Sequence, residues 1–216
     1  VITVDGPSAS GKGTLSRRLA RDLGYIYVDS GAMYRTLAWW ALKKALRLES
    51  PMSPQEDEAV VHLMRRWKSE TRVVDGQAWI HVDGYFPEKE IRGNEVEHAV
   101  PVLAQISKVR DWMVARQRDC VAFGPLVMEG RDIGTVVFPL APVKFFLEAD
   151  ESERQKRIEG RGGNTSAARR DHMDSTRKKG ALVPALDAIR INNTGQTPDE
   201  TYAIMRRHVQ ERLHPA

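Results

Sequence analysis

The sequence predicts an α/β fold, a parallel five-stranded sheet flanked by helices, and two observations carry that reading. Short apolar, β-prone runs recur at residues 1–4, 25–28, 126–128, 143–147 and 188–191, with longer stretches of helical character between them. Strands that alternate with helices in this way build right-handed crossover units and a parallel sheet. The second observation is a glycine-rich turn, Gly6-Pro7-Ser8-Ala9-Ser10-Gly11, between the first run and the helical stretch 12–23. A crossover places such a turn at the carboxyl end of its first strand, where open α/β sheets bind ligands.

The remaining elements follow in order. Helix starts are marked by the capping patterns Ser53-Pro54-Gln55-Glu56, Asp150-Glu151-Ser152-Glu153 and Thr197-Pro198-Asp199-Glu200, in which a short polar side chain precedes an acid by three positions. One segment breaks the alternation. Around residues 70–87 two β-prone runs flank Asp75-Gly76, a hairpin signal, and polar helical sequence follows as far as His98. This reads as an inserted unit of small antiparallel strands and helix. Residues 160–166 read as a flexible loop.

Composition excludes several kinds of protein. The chain has 216 residues, long enough to bury a sizeable core, and a single cysteine, Cys120, which leaves no intramolecular disulfide framework and fits a reducing compartment. Its six histidines, at 62, 81, 98, 172, 208 and 214, show no metal-ligand spacing. No stretch approaches the roughly 20 apolar residues of a membrane span, and the first residues read as a strand rather than a leader; a soluble, cytoplasmic protein is expected. The net charge of +4 is concentrated, because residues 151–179 hold nine Lys or Arg against five acids. Arginines closing over phosphates, a solvated face and a nucleic-acid footprint all fit such a segment. Asp171 and Asp174, interleaved with the arginines, favour oriented guanidinium groups, and the segment has no Phe, Tyr or Trp to stack on bases.

Gly6 to Thr14 nearly spell the phosphate-binding P-loop, so the expected fold is P-loop NTPase-like. Backbone N–H groups of such a turn and of the following helix end converge on an anion, and Lys12 adds a mobile positive charge. The usual pattern has Ser or Thr directly after the lysine, whereas Gly13 intervenes here before Thr14. A serine-hydrolase reading fails, because Gly6-Pro7-Ser8-Ala9-Ser10 lacks the second glycine of the nucleophile elbow.

Further stretches point to a family. Asp29-Ser30-Gly31-Ala32-Met33-Tyr34-Arg35, Glu129-Gly130-Arg131-Asp132-Ile133-Gly134-Thr135, Val109-Arg110, and Asp174-Ser175-Thr176-Arg177, together with the loop, resemble bacterial cytidylate (CMP) kinases of the nucleoside monophosphate kinase group, over essentially the whole chain. The resemblance implies transfer of the γ-phosphoryl group of ATP to CMP or dCMP in pyrimidine nucleotide metabolism, with Mg²⁺, in a monomer with no nucleic-acid or membrane partner. It implies an ATP site made of Gly6, Pro7, Ser8, Ala9, Ser10, Gly11, Lys12, Gly13 and Thr14, and catalytic roles for Lys12, Arg131 and Arg177. It assigns the acceptor to Ser30, Arg35, Arg110, Arg131, Asp132, Arg170, Asp174 and Arg177: phosphate on Arg35 and Arg131, base on Ser30, Arg110 and Asp132, sugar on Arg170 and Asp174. It also implies a core of residues 1–56, 99–159 and 181–216, a monophosphate-side insertion at about 57–98, and a short lid at about 160–180, with Gly160, Gly162 and Gly163 as hinges. One position departs from the family pattern: nine residues before Arg110, where a serine contacts the nucleotide, stands Pro101, which offers neither hydroxyl nor N–H.

Overall fold

A computed structural model of the chain describes residues 1–160, 166–175 and 180–213, without the side chains of Ala167, Arg169 and Arg170. The strands are β1 (Ile2–Asp5), β2 (Ile26–Asp29), β3 (Ser69–Val74), β4 (Gln77–Val82), β5 (Leu126–Gly130), β6 (Val143–Glu148) and β7 (Ile189–Asn192). The helices are α1 (Lys12–Leu23), α2 (Ser30–Lys43), α3 (Pro54–Arg65), α4 (Asn94–Leu103), α5 (Ser107–Asp119), α6 (Glu151–Glu159), α7 (Ala167–Ser175) and α8 (Pro198–Leu213).

All strands join one sheet in the order β3-β4-β2-β5-β1-β6-β7. The five expected strands run parallel, with β1 central between β5 and β6, and the expected five-stranded sheet is corrected to seven strands, because β4 continues the parallel part beside β2 and only β3 runs antiparallel. Parallel strands covered on both faces are apolar on both faces, and successive residues of β5 show how. Leu126 and Met128 pack toward Met33 and Leu37 of α2, Leu103 of α4 and Met113 of α5. Val127 between them points the other way, with Ile2, Val4 and Phe145, onto Leu15 and Leu19 of α1 and Met205 of α8. Each such buried side chain contributes about 1.5–3 kcal/mol relative to exposure, so both helical layers are fixed against the sheet.

The Asp75-Gly76 signal produces the expected hairpin. Both residues have positive φ, 49° and 71°, the requirement of the two-residue turn that matches strand twist. β3 and β4 pair antiparallel, and β4 then pairs in parallel with β2. The insertion therefore extends the main sheet. The outer strand β3 is mostly exposed; it carries the Glu70–Arg72 ion pair, charges that discourage strand addition, although Val73 and Val74 are exposed at its end.

Two of the three capping patterns form. Ser53 and Glu56 bond reciprocally at the start of α3, as do Thr197 and Glu200 at α8. Asp150 corrects the third: its side chain makes no cap, and its own N–H donates to Thr194 Oγ1 at 2.8 Å. Pro101 lies inside α4.

Because β1 has partners on both sides, the chain turns to opposite sides of the sheet after β1 and after β5. That reversal opens a crevice at the strands' carboxyl ends, where Asp5, Asp29, Glu129 and Asn192 stand at or next to the ends of β1, β2, β5 and β7.

Candidate active site

The glycine loop between β1 and α1 is engaged at four successive carbonyls, the first by Lys12 from the cleft and the other three from behind, by α6 and the residue after β7. Lys12 Nζ donates to Pro7 O at 2.6 Å, Arg154 to Ser8 O at 3.2 Å, Arg157 to Ala9 O at 3.4 Å and Asn193 Nδ2 to Ser10 O at 2.8 Å. Carbonyls engaged on the outside leave the loop's amides for an anion on the inside. The Ser8 N–H meets one: Asp171 Oδ1 lies 3.3 Å away, and the same carboxylate pairs with Arg154 at 2.5 Å.

Lys12 is only 6 % exposed. Burial and the neighbouring Arg131 charge lower its pKa to about 7, against the opposing pull of Glu129, Asp5 and Asp174. A cation held this reluctantly is one that an added phosphate charge would stabilise strongly.

The structure gives Gly13 a physical reason. Glu129 of β5 points at the first turn of α1, and a β-carbon at position 13 would lie 2.9 Å from Glu129 Oε1 and 3.6 Å from Tyr27 Oη. Tyr27 donates a hydrogen bond to Glu129. Burial, with Asp29 nearby, pushes the Glu129 pKa up, against Lys12, the Tyr27 hydrogen bond and Arg131. The absent side chain makes room for a carboxylate beside the phosphate loop.

Across the crevice, strand ends aim the arginines. Asp29 caps α2 through the Ala32 N–H at 2.8 Å and pairs with Arg35 at 2.7 Å. Burial opposes ionisation of Asp29, yet Arg35 and the Ala32 N–H hold its pKa below the usual carboxylate range. Asp5 accepts from the N–H groups of Ile133 and Gly134 at 2.9 and 2.7 Å, anchoring the loop after β5. From that loop, Arg131 Nε donates to Asp174 Oδ2 at 2.6 Å, and Asp132 pairs with Arg110 of α5, both side chains nearly buried. Gly180 lies so close to this pair that a β-carbon there would collide with both side chains.

Lys12, Arg35, Arg110, Arg131, Asp132 and Asp174 line one cleft of about 420 Å³. It gathers the expected residues Ser8, Ala9, Gly11, Lys12, Gly13, Thr14, Ser30, Arg35, Arg110, Arg131, Asp132 and Asp174; Gly6, Pro7 and Ser10 are not in its lining. Arg177 falls outside the described residues, as do Gly162, Gly163 and the side chain of Arg170. Arg17, Tyr27, Asp29, Arg92, Glu97 and Glu129 also line the cleft, as does Pro101. Sequence reasoning had not placed the first six there, although Asp29 and Glu129 each stand at the head of a recognised motif. A second cleft of about 250 Å³ lies on the other side of the loop, between Arg157, Asn193, Gln196 and Pro198, and it shares Gly11 and Thr14 with the first.

Among the described residues no three or more His, Cys, Asp or Glu are grouped to hold a metal ion, and no helix is long and apolar enough to cross a membrane.

A parallel α/β sheet with a glycine loop after its central strand, a buried lysine opening the next helix and arginines facing it across a cleft defines a P-loop kinase. The comparisons narrow the class. The family model described as cytidylate kinase matches residues 2–211, and the chain belongs to that family. It is 36% identical over 222 residues to a cytidylate kinase of Enterococcus faecalis, covering 98% of this chain and 96% of that one. The cytidylate kinase of a Geobacillus species is 37% identical over 223 residues, covering 98% and 97%. That of Pectobacterium atrosepticum is 38% identical over 224 residues, covering 99% and 97%.

Proposed function

We propose that the chain transfers the γ-phosphoryl group of ATP to CMP or dCMP, with the two nucleotides entering from opposite sides of the phosphate loop. The observation that carries this reading is that the two clefts meet at Gly11 and Thr14. ATP lies with its base in the smaller cleft and its phosphates on the amides of residues 6–14. CMP lies in the larger, its phosphate on the forks of Arg35 and Arg131, which bind oxygens bidentately.

Catalysis in this arrangement is positioning and charge neutralisation. The acceptor oxygen belongs to the CMP phosphate itself, so no strong general base is required. Lys12 and Arg131 offset the charge that spreads over the transferring group, in a site from which water is excluded. Mg²⁺ fits the chemistry of the donors present: Thr14 and Glu129 are hard oxygen ligands, too few for an all-protein cage, as suits an ion that keeps several waters. Held by Thr14 and Glu129, it would supply neutralisation of the phosphate charge.

The lid, about residues 160–180, supplies Arg177 to the transferring phosphoryl and Arg170 with Asp174 to the sugar. Asp174 lines the larger cleft, and Gly180 lies against the base-reading pair. The insertion of about 57–98 supplies Arg92 and Glu97 to the acceptor side. With Pro101 offering no hydroxyl from α4, sugar recognition falls to the lid. The protein works as a cytoplasmic monomer.

Base choice rests on Asp132. Oriented by Arg110, its carboxylate accepts from the exocyclic amine of cytosine, a donor that uracil lacks. Asp132→Asn keeps the shape but replaces one acceptor with a donor. The ratio of kcat/KM for CMP over UMP is expected to fall by about a hundredfold or more, measured by coupled ADP release. An unchanged ratio in a folded variant would place base selection elsewhere.

A further inference from the structure

Asn193 follows the last residue of β7, and its side chain is engaged at both ends. Nδ2 donates to Ser10 O at 2.8 Å, and Oδ1 accepts from Arg157 at 3.1 Å. The residue is 3 % exposed, and its backbone is equally fixed. Its N–H donates to Glu148 O at 2.8 Å, continuing the pairing of β6 with β7, and its carbonyl accepts from Gln196 N at 3.1 Å. The turn that follows is braced in turn, because Asn192 Oδ1 accepts from both the N–H and hydroxyl of Thr194. One carboxamide thus joins the phosphate loop, α6 and the turn before α8, the elements that wall the smaller cleft.

We propose that Asn193 is a positioning residue for the donor nucleotide. By holding the Ser10 carbonyl outward it orients the Ser10–Gly11 peptide toward phosphate. By accepting from Arg157 it sets that guanidinium against the donor-side cleft. This rests on the reading that ATP occupies the loop and the smaller cleft. Asn193 touches neither the larger cleft nor the arginines across it, so its effect belongs to ATP and not to CMP.

The chemistry needs a carboxamide. Aspartate still accepts from Arg157 but turns lone pairs toward the Ser10 carbonyl and adds negative charge behind the phosphate loop. Leucine, close in size, makes neither bond.

The test is steady-state kinetics of Asn193→Leu and Asn193→Asp with each substrate varied in turn, alongside ATP binding in the absence of CMP. Losing hydrogen bonds of this buried kind should raise KM and Kd for ATP about tenfold, with KM for CMP within about twofold of wild type. Asn193→Ser, which removes less and keeps a hydroxyl, should lie between wild type and Asn193→Leu, and it serves if the larger changes prevent folding. An unchanged ATP KM in folded variants, or equal rises for ATP and CMP, would overturn the proposal, the second marking a merely structural role. Wild-type protein separates the two readings: if it shows no ATP-dependent phosphorylation of CMP, the function fails, whereas an active wild type with indifferent variants sinks only the role of Asn193.

Discussion

Replacing Lys12 by methionine lowers kcat for CMP phosphorylation by about three orders of magnitude, the scale of losing one preorganised charge at a transferring phosphoryl group. The fold survives. Lys12 is nearly buried, and its described hydrogen bonds run to Pro7 O and Ser10 Oγ. Methionine follows the same path through the loop without a charge to desolvate, and removing a reluctantly buried cation does not destabilise the folded state. The sign of the pH effect follows. The folded-state pKa is depressed, so between about 7 and the ordinary lysine value of 10.5 the unfolded chain binds more protons and stability rises with pH. The variant lacks that rise. Activity within tenfold of wild type would remove Lys12 from the reaction, and a steeper loss of stability would make it structural.

Arg131→Ala has an effect of similar size by a different route. Its Nε is bonded to Asp174, whose side chain is 7 % exposed, and burial works against the guanidinium while Asp174 and Glu129 stabilise it. Alanine removes the proposed acceptor fork and leaves Asp174 without this partner beside the incoming phosphate. A loss of about 10³-fold in kcat/KM for CMP is expected from the missing charge-assisted bonds, and KM for ATP should move far less. Arg131→Lys restores charge but not the planar fork, and it recovers only part of the loss. Equal damage to both substrates' KM, or full recovery with lysine, would contradict the assignment.

Much of this was legible in the chain. The five parallel strands appear where apolar runs lie, within a residue or two, because a strand buried on both faces writes itself as a continuous apolar segment. The hairpin at Asp75-Gly76 is legible because the turn demands positive φ at both residues. The clustering of Arg35, Arg131 and Asp132 with Lys12 follows from motifs that stand next to strand ends, and Arg110 joins them from α5.

What escaped was tertiary. Arg154, Arg157 and Asn193 reach the phosphate loop from 146 to 183 residues away, and nothing local distinguishes them from a solvated helix face and a turn. Gly13 reads as a variant spelling until Glu129, brought from β5, is seen to occupy its side-chain space. The second cleft is built partly from Gln196, Pro198 and Thr201, in and beside a stretch, Thr197 to Glu200, that the sequence marks only as a helix start. Asp150 looks like a cap, but Thr194, a neighbour only in space, takes its N–H.

The most direct measurement is ADP release from Mg-ATP by the purified wild-type protein with CMP, dCMP, UMP, AMP or no acceptor. Two clefts meeting at one phosphate loop, with Asp132 reading the base, predict rapid turnover with CMP, kcat/KM for UMP and AMP lower by about a hundredfold or more, and almost none without an acceptor. Equal rates with CMP and UMP would contradict base reading by the Arg110–Asp132 pair, and ADP release independent of any monophosphate would contradict the acceptor site as a whole.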